Sequence, residues 1–506
     1  MSGAGTLLQQ QRDAKKLLKE QQRELQQKPG NSDAAAEGRA AEGRCCDDAL
    51  RDEAPDAQDM EASLHDVKVA TIGNVDAGKS TLVGVLTKAT LDDGRGKARA
   101  LVFNSGASGH EAQNGRTSCV ATEIMGWKSS GEQVVAERSG VASVAARTQG
   151  WQQIATTSDK VVTFIDLCGH EGYLKTTIFG LIGLCPDYAL IVVNANAGFQ
   201  KMTREHLGIA LALRIPILMA VTKIDIAPEN VFEENMQFLC KLLRSKAVGR
   251  NPIVMKSEED VEAATRTGAL ENLCPIFCVS NVTGGGLPLF KSFLQRLPSR
   301  LYASGLFKPP QEPVEFHIDH VFNVPGVGVV VSGLMRSGHV RPNQQLLLGP
   351  DKSGALNLCR VKTIHYHRVP VDYVETGQAC SFAITSLVKK EQLKKASFRK
   401  GMVLVDPALK PQATWVFKVE VVILHHATTI REGYEPVVHC GVIRQSAKVI
   451  HLSEDLLRTG DKATVTFRFK CHAEYLKPGT VLLFREGRTK GLGRILQLET
   501  DSSSVH

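Results

Sequence analysis

The stretch Gly73-Asn74-Val75-Asp76-Ala77-Gly78-Lys79-Ser80 decides the fold. An apolar run, Val67-Lys68-Val69-Ala70-Thr71-Ile72, precedes it, and the helical pattern Thr81-Leu82-Val83-Gly84-Val85-Leu86 follows. A strand, a glycine-bounded loop and Lys-Ser opening a helix make a phosphate-binding P-loop. Glycines at the loop ends let backbone N–H groups wrap a β-phosphate. The helix N-terminus adds positive partial charge. Lys79 would reach the β- and γ-phosphates, and Ser80 would hold Mg²⁺.

Outward from this loop, residues 65–297 alternate strand-like runs with helical patterns. Buried strands are expected at 161–165, 188–193, 216–221 and 276–279, and helices at 171–183, 203–213, 231–244 and 287–297. That alternation predicts a mostly parallel sheet covered on both faces. Two long segments without apolar pattern interrupt it, 90–117 and the Ala/Ser/Gly-rich 128–159. Each reads as a switch or a solvated loop, and for 128–159 the loop is preferred. Residues 298–312, with Pro309-Pro310, read as a linker. Beyond them short strand-like runs separated by Gly and Pro turns predict one small β-barrel over 313–408 and another over 409–498. Residues 1–64 read as a disordered or partly helical tail, and 499–506 as a loose one.

At 506 residues the chain is long enough for roughly three domains of about 150 residues each. Its 43% hydrophobic content is enough for each to bury a core. The formal net charge of +8 is compatible with an RNA partner and equally with an ordinary solvated basic surface. The 12 cysteines show no disulfide framework, which places the chain in a reducing, cytoplasmic compartment. Cys274 and Cys278 have no second Cys/His pair at finger spacing, so zinc is not expected. The N-terminus lacks an apolar signal core. The apolar run 178–193 contains Pro186 and Asp187 and reads as buried helix then strand, so no membrane partner is expected.

A P-loop alone leaves kinases, ATPases and GTPases open. Asp166-Leu167-Cys168-Gly169-His170 narrows the choice, because it follows the strand at 161–165. Asp166 is placed to bind Mg²⁺ through water, and the Gly169 N–H can approach a γ-phosphate and swing away when that phosphate leaves. Thr222-Lys223-Ile224-Asp225 follows the strand at 216–221. A carboxylate at Asp225 would accept from the N1–H and 2-amino group of guanine, and the Lys223 stem would pack over the base. After the strand at 276–279, Ser280-Asn281-Val282 offers a backbone N–H to guanine O6. The Mg²⁺-sensing hydroxyl falls in Arg116-Thr117-Ser118, with Thr117 chosen and Ser118 a competitor.

Together these residues resemble translational GTPases of the elongation factor Tu / elongation factor 1-alpha type, and among them the GTP-binding protein 1 and 2 branch. The resemblance covers about residues 65–498. It rests on 73–81 (ending in Thr81), Gly115-Arg116-Thr117-Ser118, the run from Asp166 to Thr177, Thr222-Lys223-Ile224-Asp225 and Ser280-Asn281-Val282-Thr283-Gly284. In the barrel regions it rests on Val324-Pro325-Gly326-Val327-Gly328 and Val438-His439-Cys440-Gly441. It implies an α/β P-loop GTPase domain followed by two all-β barrel domains, hydrolysing GTP to GDP. It further implies that His170 orients the attacking water, that Asp76 helps hold a monovalent cation, and that barrels and switches grip an aminoacyl-tRNA on the ribosome. The branch implies rescue or mRNA surveillance as well as elongation. A GTP-switched module recruiting RNA-decay machinery is the rival. Thr222 stands where the family has Asn, and Cys168 where elongation factor Tu has Pro.

Overall fold

The computed structural model describes residues 66–102, 119–136, 144–266, 268–300, 307–388, 393–426, 428–486 and 489–499. The tail 1–64, the candidates Thr117 and Ser118, and residues 500–506 lie outside them.

The first half runs β1 (Asp66–Gly73), α1 (Lys79–Lys88), α2 (Lys97–Ala100), β2 (Ala121–Trp127), β3 (Gln133–Val134), α3 (Val144–Thr157), β4 (Lys160–Asp166), α4 (Leu174–Gly183), β5 (Tyr188–Asn194), α5 (Lys201–Ala212), β6 (Ile217–Thr222), α6 (Glu229–Arg244), β7 (Asn251–Val254), α7 (Glu258–Thr265), β8 (Leu273–Val279) and α8 (Leu287–Arg296). The strands form one sheet in the order β3-β2-β4-β1-β5-β6-β8-β7. It is mostly parallel, as the alternation requires, with β2 and β3 antiparallel at one edge. Side chains alternate across the pleat. Val67 and Val69 of β1 pack with Leu82 and Leu86 of α1 and Phe290 of α8, while Ala70 and Ile72 pack with Ile178 of α4 and Ile209 of α5. Because β1, β5 and β6 all end on the same side, their C-terminal loops converge on one rim.

The described part of 128–159 is not solvated loop throughout. It holds β3 and the helix α3, whose Trp151 and Ile154 are buried against Ile124, Val134 and Val161. Two apolar anchors in fourteen residues are too few to give a readable period, but they cover β2, β3 and β4 at that end of the sheet. The expected linker is anchored at one described point. Phe307 is buried with Cys185 and Leu334, and the Arg336 guanidinium lies 5.3 Å from its ring centroid.

The second half is all β. In the first barrel the strands Gln345–Gly349, Val403–Val405, Glu315–Val324, Gly328–Ser337, Ala379–Ser386 and Asn357–Tyr366 pair in that order. The last returns to the first through Leu346 opposite Cys359. The second barrel is closed by Val416–His425, Lys462–Phe469, Ile443–Leu452, Val437–Cys440, Val481–Glu486 and Thr489–Glu499. Closure removes unpaired edges. Both barrels bear on the first half. Leu483 joins the core beneath α4, and the Lys400 ammonium sits 5.6 Å from the Phe179 ring centroid. The Arg368 guanidinium lies 4.5 Å from the Trp151 ring centroid, and Gln152 Nε2 donates to Arg368 O at 2.8 Å. Among the described residues no helix is long and apolar enough to cross a membrane.

Candidate active site

The rim above β1 and β4 holds a cavity of about 200 Å³ lined by Val75, Asp76, Gly78, Lys79, Ser80, Thr81, Arg99, Gly169, His170 and Lys223. The sequence therefore placed most of its P-loop candidates around one space. Gly78, in the left-handed region at φ 86°, precedes α1 and offers no side-chain cap, so the first N–H groups of α1 face the cavity. Asp76 is also left-handed, at φ 60°. Lys79 is buried, and its Nζ donates to Asn74 O at 2.8 Å. Burial lowers its pKa, and the nearby Asp166 carboxylate works against that shift.

Ser80 Oγ donates to Asp166 Oδ2 at 2.5 Å. The Ser80 hydroxyl in the cavity lining and the carboxylate it meets are hard oxygen donors, which suits Mg²⁺. Gly169 leans on the P-loop so closely that a Cβ there would lie 2.5 Å from Lys79 Nζ and 2.8 Å from Asn74 O. Only glycine permits that approach. His170 then caps the short turn Glu171–Tyr173, with Nδ1 accepting from Gly172 N at 3.1 Å. That bond leaves the ring proton of the neutral imidazole on Nε2, so Nε2 is a donor. Cys168, in the place of Pro, is fully buried, and its carbonyl accepts from Thr177 Oγ1 at 2.8 Å. This bond ties the loop to α4.

Thr222 shows how the chain manages without Asn. Its buried hydroxyl donates to Ala77 O at 2.7 Å, so the P-loop brace is kept by a shorter side chain. Lys223 follows at φ 62°, and Asp225 stands exposed in the next turn. Ser280 is buried, its Oγ accepting from Val282 N and Thr283 N at 3.2 and 3.0 Å. Asn281 O accepts from Asp92 N at 2.8 Å. Val282 is 40% exposed. The structure thus brings Val75, Asp76, Gly78, Lys79, Ser80 and Thr81 of the P-loop together with Gly169, His170 and Lys223 around the cavity, with Asp166 bonded to Ser80 but outside the lining. Asp225 and the turn 280–282 lie outside its lining.

Two residues at this rim escape a reading of the sequence. His206 of α5 is fully buried, and its Nδ1 accepts from Gly73 N at 3.1 Å, bracing the start of the P-loop. Burial depresses its pKa to about 3, and the Lys79 charge adds to the effect. In the unfolded chain the imidazole titrates near 6.5, so below that pH the unfolded state binds the extra proton. Stability from this group is full above about pH 6.5 and falls by up to about 1.4 kcal/mol per pH unit on acidification. Wild-type protein taken from pH 6.5 to 5 is expected to lose about 2 kcal/mol that His206→Asn does not lose. Denaturant midpoints at both pH values measure this.

The second residue is Arg99, on α2. The helix is pressed onto α1 where Gly84 has no side chain, since a Cβ at Gly84 would lie 2.2 Å from Ala98 O. Gly84→Ala is expected to part the two helices and cost about 1–3 kcal/mol, read as a lower unfolding midpoint.

A profile of the elongation factor Tu GTP binding domain matches residues 65–299. The chain is 46% identical over 440 residues to GTP-binding protein 1 of Xenopus laevis, covering 87% of this chain and 64% of that protein. It is 43% identical over 437 residues to GTP-binding protein 2 of Homo sapiens, covering 86% of this chain and 69% of that one. The chain therefore spans a little under two thirds of the first relative's length. The crystal structure of the S. cerevisiae Ski7 GTPase-like domain, bound to GTP, superposes with a TM-score of 0.62 at 11% identity, covering 88% of this chain and 99% of that one, which speaks for the fold alone. A P-loop cavity lined by Lys79, Gly169 and His170, two closed barrels packed against the α/β half that carries it, and relatives at this identity agree: the chain belongs to the translational GTPases of the elongation factor Tu superfamily.

Proposed function

We propose that this chain is a GTP-hydrolysing translation factor that binds tRNA and the ribosome in the cytoplasm, in an elongation-like step or in ribosome rescue and quality control. The observation that carries this reading is the seating of α4. This helix follows Gly169 and His170 after the one turn Glu171–Tyr173, and both barrels touch it or the core beneath it, through Lys400 and Leu483. Any shift of Gly169 on phosphate loss is mechanically close to the barrels, which offer the surface for RNA.

The family uses Mg²⁺ with GTP, and here Ser80 and Asp166 would hold it. When bound, the ion supplies positive charge beside the β- and γ-phosphates. The chain's own groups do the rest. The N–H groups at the start of α1 and the Lys79 ammonium bind the phosphates, and the Gly169 N–H approaches the γ-phosphate. His170 Nε2–H orients the attacking water in line with the breaking bond, once RNA contact completes the site. Asp76 would offer a carboxylate to a monovalent cation at the phosphates. Lys223 and Asp225 would hold guanine, with a backbone N–H of 280–282 toward O6.

The test is GTP turnover measured with ribosomes, with and without aminoacyl-tRNA. Stimulation by ribosomes is expected, and dependence on aminoacyl-tRNA would mark delivery rather than rescue. Turnover indifferent to ribosomes would overturn the proposal in favour of a GTP-switched module that recruits RNA-decay partners.

A further inference from the structure

We propose that Arg99 is a catalytic residue of GTP hydrolysis, presented to the terminal phosphate from within the same chain. The inference rests on the P-loop cavity being the GTP site. Arg99 lines that cavity together with Lys79, Gly169 and His170, although it lies outside every motif that defines the site in the sequence.

Its segment is held at several points. Asp92 Oδ1 accepts from Ala98 N at 2.9 Å, and Asp92 Oδ2 accepts from Gly94 N and Gly96 N at 3.1 and 3.3 Å. Asp92 N is tied in turn to Asn281 O in the base-side loop. Ala98 is fully buried against α1 at Gly84. Beyond α2, Arg147 Nη2 of α3 donates to Val102 O at 2.9 Å and also pairs with Glu123 on β2. Arg99 thus leaves a backbone clamped on one side by α1 and the 280–282 turn and on the other by α3. A side chain set on such a frame loses little freedom when it engages a ligand.

The electrostatics point the same way. Two cations, Lys79 and Arg99, face one cavity. A polyphosphate relieves their repulsion. Lysine is a point charge, whereas a guanidinium presents a planar fork of donors that can span two phosphate oxygens. In hydrolysis, water adds to the γ-phosphorus as its bond to the β–γ bridging oxygen breaks. GDP departs with the electron pair of that bond. One proton of the water stays on inorganic phosphate and the other goes to solvent. In the transition state charge is spread over the three equatorial oxygens of the γ-phosphoryl group, and a fixed guanidinium presented to that group stabilises it there while leaving GDP, which lacks the group, largely untouched.

Arg99→Ala and Arg99→Lys test this in the full chain, by single-turnover GTP hydrolysis with ribosomes and by GDP affinity. Both variants are expected to keep GDP affinity within about threefold of wild type and to lose at least about tenfold in hydrolysis. The ceiling is the roughly 10³–10⁵-fold range known for such arginines. The lysine variant should not restore the rate, because it lacks the fork. Hydrolysis by Arg99→Ala within threefold of wild type would overturn the proposal. So would a fall in GDP affinity that matches the fall in rate, since Arg99 would then only anchor the nucleotide. Wild-type protein that binds GDP but never hydrolyses GTP would sink the functional reading as well, and is recognised by its unmodified control alone.

Discussion

Asp225→Asn is expected to move base preference from guanine to xanthine nucleotides. The Asp225 carboxylate is exposed in the turn after β6, held there by the left-handed backbone of Lys223. Two acceptor oxygens match the N1–H and 2-amino donors of guanine. Xanthine carries a carbonyl in place of the 2-amino group, and an Asn amide offers that carbonyl a donor. A site built around hydrogen bonds rejects the mismatched partner by about 10⁴–10⁵-fold. Guanine affinity should therefore fall by a large part of that range while xanthosine diphosphate binds measurably. Competition between GDP and xanthosine diphosphate on the purified variant gives the ratio directly. A preference for guanine that survived the change would remove Asp225 from the base site.

His170→Ala is the second large effect. The ring lies at the cavity and is oriented through Nδ1 by Gly172 N, which leaves Nε2–H to direct a water. Losing one preorganised donor at a site of charge development costs roughly 10²–10³-fold in rate. Ribosome-stimulated hydrolysis should fall by about that factor while GTP affinity stays close to wild type, because the phosphates are held by the P-loop and not by this ring. The His170→Gln variant, which keeps a side-chain donor, should fall less. Stimulated turnover that survived the loss of the ring would sink the role given to His170.

Where the sequence was legible, the signal was local. The run 67–72, the two glycines and Lys79-Ser80 lie within one strand–loop–helix unit, and their chemistry depends on neighbours in the chain. Asp166-Leu167-Cys168-Gly169-His170 is read the same way, as a strand end. The elements that escaped notice carry weak local patterns. The strand β7 is four residues long and contains Pro252. The helix α7 had a usable signal in the capping box of Ser257 and Asp260, but few apolar positions behind it. The helix α3 holds its place through Trp151 and Ile154, and Gly150 in its interior lowers its helix propensity.

The site divides along the same line. Sequence by itself determined the phosphate loop and the order of an α/β domain before two barrels, and it supplied Ser80, Asp166 and Asp225 as candidates for the metal and the base, because spacing along a strand or turn points to each of them. Tertiary structure alone decided the rest. It showed that Thr222 reaches Ala77 from 145 residues away, that His206 braces Gly73 from α5, and that Gly84 lets α2 come close enough to put Arg99 in the lining of the P-loop cavity. Each of these depends on a distance between segments remote in the chain. Such distances are set by how side chains pack across the sheet, and no local periodicity encodes them.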